Sequence, residues 1–518
     1  MLRDVSSDTM PKRFLAVIPR QVTLFGQEAR PQPPMGVAYA LQGVARAGWN
    51  PALLDLCAEG YATYQEDRQK GIRVTGLEDK DAMERISQGQ PDMIGVSLGI
   101  STDHDYTKQL VYKIKQEFPH VPIVVGGSHA SLMNERLFVG HGIERMDVDF
   151  VVTGRDLGSG ESTIETLLQA QDGKCCLNDV PGLLYVDSGT VRQNPSVIIT
   201  EPSVSFLPQA RRDLFKKVKG VDIYSTINRS HTGPADSIPY AVMHTSRGCG
   251  AVCTFCHVAE EGYARKLFGR SLSNIVEELN LLKDEGVQTI SIEDDNFGGF
   301  HPSRTELAVR ILQEIHAREF KGVYFPNGIT LKSYLNNNHA LPRQLRKMAD
   351  DGIKVRNSLP IECGDDYTLR KIIHKPHTLD MVHSVLHELT SGGYLKHPSI
   401  ELDAFFMVGI VGYDGKKAVP ESYESIEKTF ALAREAAELG ILVNVWWMKP
   451  NPGRPQYDLW RAKFPEKQFY ELQFLFPSGI WGTEEQELRL NESIRSINGE
   501  MAKIGVGSKR PIYPVYED

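Results

Sequence analysis

Three cysteines stand close together near the middle of the sequence: Cys249, Cys253 and Cys256, in the segment Cys-Gly-Ala-Val-Cys-Thr-Phe-Cys. Three thiolates on one short loop can bind three irons of a cubane iron–sulfur cluster. The fourth iron then has no protein ligand, so it can bind a substrate or a cofactor. The C-x3-C-x2-C spacing therefore predicts a 4Fe–4S cluster that acts as a reaction centre.

A zinc site and a set of three unrelated buried thiols are the alternatives to a cluster at these cysteines. A structural zinc ion needs four ligands, usually as two separated pairs, and His257 beside Cys256 would serve only with strained geometry. The spacing favours the cluster. The remaining cysteines form no paired framework, which is typical of a reducing cytosol: Cys57, Cys175, Cys176 and Cys363.

Composition excludes several classes of protein. The chain has 518 residues, 41% hydrophobic and 24% charged, and a net charge of −8, so it carries no basic footprint for nucleic acid. No run of about 18 apolar residues predicts a membrane span, and the polar segment Met1–Arg13 does not resemble a secretory signal. We expect a cytoplasmic protein of two to four domains, with no membrane partner.

Residues 1–175 predict a doubly wound α/β domain, because short apolar strands alternate with helices. The predicted strands are Phe14–Ile18, Ala52–Leu56, Met93–Leu98, Val121–Val125 and Phe150–Val152. Ligands of such sheets bind beyond the carboxyl ends of the strands. The loops there are Pro19–Pro34, Gly99–Asp103, Gly126–His129 and Thr153–Gly160. Gly126–Gly127 would either admit a large ligand or form a tight turn.

Residues 176–239 predict a β hairpin followed by a linker, and residues 240–455 predict a partial (β/α)6 barrel. The barrel strands are expected over Ala241–Thr245, Thr289–Ile292, Gly322–Pro326, Val355–Ile361, Ile400–Val408 and Leu442–Met448. The cysteine loop follows the first of these strands, at the end where barrels of this type place their chemistry. Residues 456–518 predict a C-terminal cap whose aromatics either line a substrate pocket or belong to the core.

The cysteine spacing, with Phe255 in the aromatic position before Cys256, resembles the radical S-adenosylmethionine (SAM) superfamily. The resemblance implies that SAM chelates the open iron and that an electron from the cluster cleaves SAM to a 5′-deoxyadenosyl radical. It also implies that Phe255 packs near the SAM adenine and that Glu362 binds the amino or ribose groups of SAM. One of Asp294 and Asp295 would bind SAM or substrate. The alternatives are a Lys or Arg partner for Glu362 and helix capping for the aspartates.

Further segments resemble the cobalamin-binding radical SAM enzymes, over residues 13 to 458. In the first domain they are Pro33–Leu56, PDMIGVSLGIS, FPHVPIVVGGSHAS and DVDFVVTGRDLGSGESTIETLL, the last with extra residues at Arg155–Gly158. In the barrel they are SIEDDNFGGF, LPIECGDDYTLRKIIHK, FFMVGIVGYDG and KPNPGRPQYD, with Cys363 in place of Ser and Val411 in place of Pro. The resemblance implies a Rossmann-like, flavodoxin-type cobalamin domain. Its ligand loops would bind cobalamin through Ser97, Gly126, Gly127 and Ser128.

Many other cobalamin proteins supply a histidine to cobalt from an Asp-x-His-x-x-Gly motif, which this sequence lacks. Asp103 and His104 are adjacent, and no Asp lies two residues before His129. The radical SAM subgroup commonly lacks this histidine. We hypothesise that an open or weakly occupied lower face of cobalt favours release of a methyl radical.

The resemblance implies methylation of an unactivated carbon in a small-molecule substrate, from methylcobalamin, with a second SAM restoring the methyl group. The expected setting is secondary metabolism, such as antibiotic biosynthesis, with flavodoxin or ferredoxin as electron donor. A cobalamin-dependent radical SAM enzyme that cyclises, rearranges or oxidises its substrate is the first alternative. A methylthiotransferase would need three more spaced cysteines. An iron–sulfur sensor or scaffold without catalysis is the alternative from another class.

Overall fold

The computed structural model contains two large sheets, each flanked by helices, and several small antiparallel pairings. It describes residues 10–140, 142–153, 160–196, 210–218, 220–227, 239–259, 266–413, 418–449, 451–474 and 481–504. The insertion at Arg155–Gly158 lies outside these residues, as does most of the loop predicted at Thr153–Gly160.

The first sheet confirms the doubly wound prediction. Its five parallel strands lie in the spatial order Asn50–Asp55, Arg13–Ile18, Met93–Ser97, Ile123–Gly126 and Phe150–Val152. This is the 2-1-3-4-5 order of flavodoxin-type sheets. In such sheets the strands are all parallel, but the order in which they are added across the sheet reverses beside the first strand. Apolar cores cover both faces of the sheet. The flanking helices are Met35–Arg46, Asp79–Gly89, His104–Glu117, Ser128–Met133, Arg136–Val139 and Gly160–Gln171.

Two parts of this region differ from the sequence prediction. The predicted hairpin, Leu183–Asp187 and Thr190–Gln193, pairs antiparallel with the fifth strand, so the first sheet extends beyond residue 175. A three-stranded antiparallel sheet of Gln21–Leu24, Ile72–Thr75 and Tyr64–Asp67 was not predicted. Two of its strands, Gln21–Leu24 and Tyr64–Asp67, have at most one buried residue, and the more buried strand Ile72–Thr75 is only four residues long, so none has the apolar run that marks a core strand.

The second sheet confirms the predicted partial barrel. Its six parallel strands lie side by side in chain order: Tyr240–Met243, Thr289–Ile292, Gly322–Phe325, Lys354–Glu362, Ile400–Val408 and Leu442–Trp447. The helices between them are Leu272–Asp284, Pro302–Ala317, Leu331–Leu335, Ala340–Asp350, Leu379–Ser391 and Tyr423–Glu438. Alternate strand residues such as Val355, Leu359 and Ile361 pack against these helices, so the residues between them face the barrel interior.

One predicted barrel helix is shorter and wider than expected. Residues Thr368–Ile372 form a single π-helical turn where an α-helix was predicted over Tyr367–Ile373. Such turns are rare and often occur at functional sites. This turn directs the carbonyl groups of Ile372 and Ile373 at Thr254 in the cysteine loop.

The C-terminal segment packs against both sheets. The helix Pro455–Lys463 contributes Tyr457 and Trp460 to the core under the first sheet, and Phe469 packs in the same core. The helix Glu484–Ile504 packs on the barrel beside Trp481. The aromatic residues Tyr457, Trp460, Phe469, Tyr470 and Trp481 are therefore buried core residues.

Contacts between the sheets bring their carboxyl ends towards each other. Arg247, just after the first barrel strand, pairs with Glu161 at the start of the helix that follows the fifth strand of the first sheet. The ring of His244, after the same strand, lies 6.2 Å from that of Tyr39 in the helix that follows the first strand of the first sheet. The ligand loops of the first sheet therefore face the mouth of the barrel.

The Gly126–Gly127 pair yields a matched test of the fold. Gly127 has φ +114°, and a Cβ there would lie 2.7 Å from the carbonyl oxygen of Leu98, whereas a Cβ on Gly126 would lie 3.8 Å from its nearest neighbour, Val152. We expect Gly127→Ala to lower the free energy of unfolding by about 1–3 kcal/mol, because only glycine adopts this backbone without strain. Gly126→Ala adds the same atom and should leave stability at or above wild type. Urea unfolding measures both, and equal midpoints would contradict the assignment.

Candidate active site at the barrel mouth

The cysteine loop is anchored to the π-helical turn after the fourth barrel strand. The Thr254 amide donates to the carbonyl of Ile373 over 3.0 Å, and its hydroxyl donates to that of Ile372 over 3.1 Å. The Cys256 amide donates to the Cys253 carbonyl over 3.2 Å, which closes a turn around the aromatic position. The loop therefore has a defined backbone held by the barrel.

Side chains from two other strand ends hold the carbonyl groups of the same loop. Arg454 donates from Nε to the Cys256 carbonyl over 3.0 Å and from Nη2 to the Cys253 carbonyl over 3.1 Å. Asn451 donates to the Phe255 carbonyl over 3.3 Å. Asn296 donates to the Cys249 carbonyl over 2.6 Å. Every cysteine of the motif is thus fixed through a main-chain carbonyl, which leaves its sulfur available.

The three thiols lie in a partly desolvated pocket with a cation nearby. Burial raises the pKa of Cys249, Cys253 and Cys256 to about 11, and the charge of Lys375 acts in the opposite direction on all three. Iron binds the thiolate, so a cation here favours the ligand form. Within the described residues, no three His, Cys, Asp or Glu side chains converge as a single metal ion would need. Three thiols on one loop are the donor set that a 4Fe–4S cluster takes.

Glu362 and Phe255, two predicted SAM contacts, meet at Lys375. The Lys375 ammonium lies 2.6 Å from a Glu362 carboxylate oxygen and 5.6 Å from the centroid of the Phe255 ring. Burial disfavours the charged lysine, but Glu362 outweighs it, so the pKa of Lys375 is raised. Glu362 therefore has a basic partner, as one of the two sequence-based interpretations predicts. Its contact with SAM stays a prediction.

The backbone at Glu362 is unusual. Its φ is +72°, and the pairing with the fifth barrel strand shifts register between Leu359 and Glu362. Positive φ at a residue other than glycine costs about 1–3 kcal/mol and clusters at functional sites. The irregular strand end turns the carboxylate towards Lys375 and the cysteine loop.

The two aspartates after the second barrel strand have different environments. Asp294 is buried and accepts bonds from the Thr245 amide over 2.6 Å and the Ser246 hydroxyl over 2.7 Å. Burial raises its pKa to about 6 despite these bonds. Asp294 therefore joins the first two strand ends. Asp295 is exposed, and its charge acts on the thiols of Cys249 and Cys256, so it is the aspartate of the pair on the side of the cysteine loop.

Glu293 is a partly buried carboxyl group inside the barrel. Ile290 and Ile292 pack against the helices, so Ser291 and Glu293 face the interior. The Ser291 hydroxyl, 3.5 Å away, is its hydrogen-bond partner in the described structure. Burial raises the pKa of Glu293 to about 7.

The edge of the first sheet presents an open platform towards the barrel mouth. Ser97, Gly126 and Ser128 are half-buried, and Gly127 is exposed. A Cβ on Gly99 would meet nothing within 4 Å, and the next residue, Ile100, is 50% exposed. Packing within the chain explains the glycine at 127 but not those at 99 and 126. This edge therefore offers free space, exposed backbone and an exposed apolar side chain. These features fit a large ligand that carries both apolar and amide groups, such as cobalamin.

His104 and His129, behind this platform, form a closed hydrogen-bonded chain. The Nε2 of His104 lies 2.9 Å from the carbonyl of Ile143, and its Nδ1 lies 2.9 Å from Nε2 of His129. The Nδ1 of His129 lies 2.8 Å from the Ser101 hydroxyl. Burial lowers the pKa of His104 to about 3 and that of His129 well below its usual value. All four ring nitrogens have partners, so neither ring is free to bind cobalt in this arrangement.

Comparison with known proteins matches each half of this site to a family. Residues 28–168 match the B12 binding domain, and residues 243–417 match the Radical SAM superfamily. The chain belongs to the cobalamin-binding radical SAM enzymes. Its cofactors are cobalamin, SAM and a 4Fe–4S cluster, as the two domains and the solved structures with this fold agree.

Two curated relatives of this cobalamin-binding radical SAM enzyme are methyltransferases. Cytidylyl-2-hydroxyethylphosphonate methyltransferase of Streptomyces wedmorensis is 24% identical, over 78% of this chain and 73% of the relative. An uncharacterized methyltransferase of Pyrococcus horikoshii is 28% identical, over 54% of this chain and 53% of the relative.

Two solved structures show the same fold. The cobalamin-dependent SAM radical enzyme OxsB, with aqua-cobalamin and SAM bound, has a TM-score of 0.61 and 16% identity, over 94% of this chain but only 56% of its own. The radical SAM methyltransferase TsrM of Kitasatospora setae, with tryptophan and a SAM analogue bound, has a TM-score of 0.59 and 15% identity, over 87% of this chain and 76% of its own. The chain thus spans about half the length of OxsB and of the Pyrococcus relative.

Several site residues of this cobalamin-binding radical SAM enzyme were not singled out from the sequence. They are Lys375, Arg454, Asn296, Asn451, Glu293 and Lys449. Arg454 carries the clearest signal, because it stands where the family pattern Pro-x-Pro-Gly-Thr-Pro has threonine. In the part of the chain that the structure describes, no helix is long and apolar enough to span a membrane.

Arg454 should determine how firmly the cluster is held. Arg454→Gln removes the fork that binds the Cys253 and Cys256 carbonyls, and we expect the affinity for the cluster to fall about 10–100-fold. Arg434→Gln, at an exposed arginine of the helix Tyr423–Glu438, is the matched control. Iron and sulfide retained under a chelator challenge measure the effect. Equal rates of cluster loss in both variants would contradict this role.

Glu293 should make the stability of the protein depend on pH. Its pKa is about 4.5 when unfolded and about 7 when folded, so the native state binds more protons between these values and stability falls as pH rises through that window. Glu293→Gln removes the titrating group, so stability should no longer fall with pH. Relative to wild type, the substitution should raise the free energy of unfolding by about 1–3 kcal/mol more at pH 8 than at pH 5. Unfolding at the two pH values, with exposed Glu285→Gln as control, measures it. The same gain at both pH values would refute the prediction.

Proposed function

We propose that this chain methylates an unactivated carbon of a small-molecule substrate. The observation that carries the proposal is the arrangement of its two cofactor domains. The cysteine loop at the barrel mouth and the ligand loops of the first sheet face each other, joined by the Arg247–Glu161 ion pair. A substrate in the mouth would contact both cofactors. When bound, the cluster and SAM supply radical initiation, and cobalamin supplies the methyl group.

The residues of the chain divide the work of binding and positioning. Cys249, Cys253 and Cys256 would hold the cluster, on a backbone fixed by Arg454 and Asn296. Both partners are largely buried in the protein, so the loop keeps its shape when solvent enters the mouth.

The SAM site would lie beside the cysteine loop. Glu362, oriented by Lys375, would accept hydrogen bonds from the amino or ribose groups of SAM, and Phe255 would pack near its adenine. Of the two aspartates, Asp295 would meet SAM or substrate, because it is exposed on the side of the cysteine loop whereas Asp294 is buried and bonded to Thr245 and Ser246. Ser97, Gly126, Gly127 and Ser128 would contact cobalamin across the mouth.

Relatives support methyl transfer over the other outcomes. The Streptomyces and Pyrococcus relatives are both named methyltransferases, and the former acts on a small phosphonate. We extend this to a small metabolite of secondary metabolism as substrate and to flavodoxin or ferredoxin as the electron donor. The alternative is a cobalamin-dependent radical SAM reaction without methyl transfer. It is favoured by OxsB, which is named a radical enzyme and not a methyltransferase although its chain shares this fold.

Product analysis of the reconstituted enzyme tests the proposal. With cytidylyl-2-hydroxyethylphosphonate as first candidate substrate and SAM deuterated in its methyl group, we expect 5′-deoxyadenosine, S-adenosylhomocysteine and a deuteriomethylated product. Cys253→Ala should abolish all three, because it removes one of three ligands of the cluster. Cys176→Ala, at an exposed cysteine outside the site, should change none.

The other outcomes separate the alternatives. Consumption of a substrate with 5′-deoxyadenosine but without S-adenosylhomocysteine would reject methyl transfer and favour cyclisation, rearrangement or oxidation. A loaded enzyme that cleaves no SAM, with or without substrate, would indicate an iron–sulfur sensor or scaffold.

A further inference from the structure

Lys449 stands at the end of the sixth barrel strand, beside the cysteine loop. The preceding residue, Met448, continues the strand by donating its amide to the Val408 carbonyl over 3.0 Å, and it packs in the apolar group that Phe255 contacts. Asn451, two residues later, donates to the Phe255 carbonyl. Lys449 is therefore held on the rim of the mouth, with contacts to the cysteine loop on both sides of it in sequence.

The ammonium group of Lys449 has no counter-ion in the described part of the chain. The residue is partly buried, and the structure gives its side chain neither an ion pair nor a hydrogen bond there. Burial lowers its pKa to about 8. A desolvated cation costs free energy unless it is paired, so a bound anion would stabilise this site.

Acidic groups at neighbouring strand ends are already engaged. Glu362 pairs with Lys375, and Asp294 accepts from Thr245 and Ser246. Glu421 accepts from the Ser425 hydroxyl over 2.7 Å. These three carboxylates have partners of their own, and among the described residues no acidic group, Glu293 and Asp295 included, acts on the pKa of Lys449, so the anion that Lys449 needs would come from a ligand.

Lys449 lies next to the segment that holds the cysteine loop and not within it. The segment that resembles the family pattern Pro-x-Pro-Gly-Thr-Pro begins at Pro450, so Lys449 lies just outside it. Residues in the pattern hold the cysteine loop, as Asn451 and Arg454 do. Lys449 lies at the edge of this turn, at the carboxyl end of its barrel strand, and has no contact that holds the loop in the described part of the chain.

We propose that Lys449 binds an oxyanion, namely the phosphonate, phosphate or carboxylate group of a small molecule in the barrel mouth. This inference rests on the proposed function, because it places an anionic substrate beside the cysteine loop. The oxyanion has two possible sources, the substrate and the carboxylate of SAM. An ammonium group binds either as a point charge.

Protection from an amine-reactive reagent tests the site directly. The reconstituted holoenzyme is labelled anaerobically with acetic anhydride at pH 8, and the labelling rate of Lys449 is measured by peptide mass spectrometry. The probes are 2-hydroxyethylphosphonate, inorganic phosphate, SAM and, as a neutral control, ethylene glycol. Exposed Lys428 is the internal reference. Slower labelling of Lys449 with a phosphonate or phosphate supports an anionic substrate, slower labelling with SAM alone assigns the site to SAM, and no protection by any anion overturns the proposal.

Substitution separates charge from packing. Lys449→Met keeps the apolar stem and removes the charge, and it should weaken binding of the protecting anion about tenfold, as measured by calorimetric titration. Lys449→Arg restores a cation and should restore most of the affinity, and Lys428→Met should have no effect. Equal affinity in Lys449→Met and wild type would overturn the proposal. Iron content and circular dichroism establish that each variant is folded and loaded.

These results are independent of the outcome for methyl transfer. Protection of Lys449 by a phosphonate, in an enzyme that forms no S-adenosylhomocysteine, would keep the oxyanion site and reject the proposed reaction. Methyl transfer without any protection of Lys449 would keep the reaction and reject the site.

Discussion

The site depends on hydrogen bonds from side chains to the main-chain carbonyls of the cysteine loop. Arg454, Asn451 and Asn296 come from two different strand ends, and each binds a carbonyl within the motif. A loop of this length has no regular structure to hold it, and unpaired buried carbonyls are costly. By satisfying these acceptors, the barrel fixes the backbone and leaves three sulfurs as the open chemistry of the loop.

Charges around the loop are also held by specific partners. Lys375 pairs with Glu362, lies near the Phe255 ring and acts on all three thiols, so one buried cation connects the predicted SAM contacts with the predicted cluster ligands. Asp294 is buried and accepts hydrogen bonds from the end of the first barrel strand, whereas Asp295 is exposed. Two adjacent aspartates thereby divide into a structural residue and an exposed one.

Much of the fold was predictable because both large sheets are parallel. Their strands are buried on both faces and read as short apolar runs, as at Val124 and Val125 or at Ile290 and Ile292. The cysteine motif was predictable because its residues are adjacent in sequence. Arg454 was not, because the Cys256 carbonyl that it binds lies 198 residues away along the chain and only the barrel closes that distance. Lys375 is 13 residues from Glu362, and the irregular backbone between them, which includes the π-helical turn, brings the two together. The π-helical turn at Thr368–Ile372 was missed since its pattern is that of an ordinary helix.

The segment that packs against both sheets affects the order in which the enzyme is assembled. Tyr457, Trp460 and Phe469 enter the core of the first domain, and the helix Glu484–Ile504 packs on the barrel. These residues leave the ribosome after both domains, which generally fold as units from the N-terminus. The segment that connects the two halves therefore packs into place last. Until then, the apolar surface of the first domain that Tyr457, Trp460 and Phe469 cover is exposed to solvent.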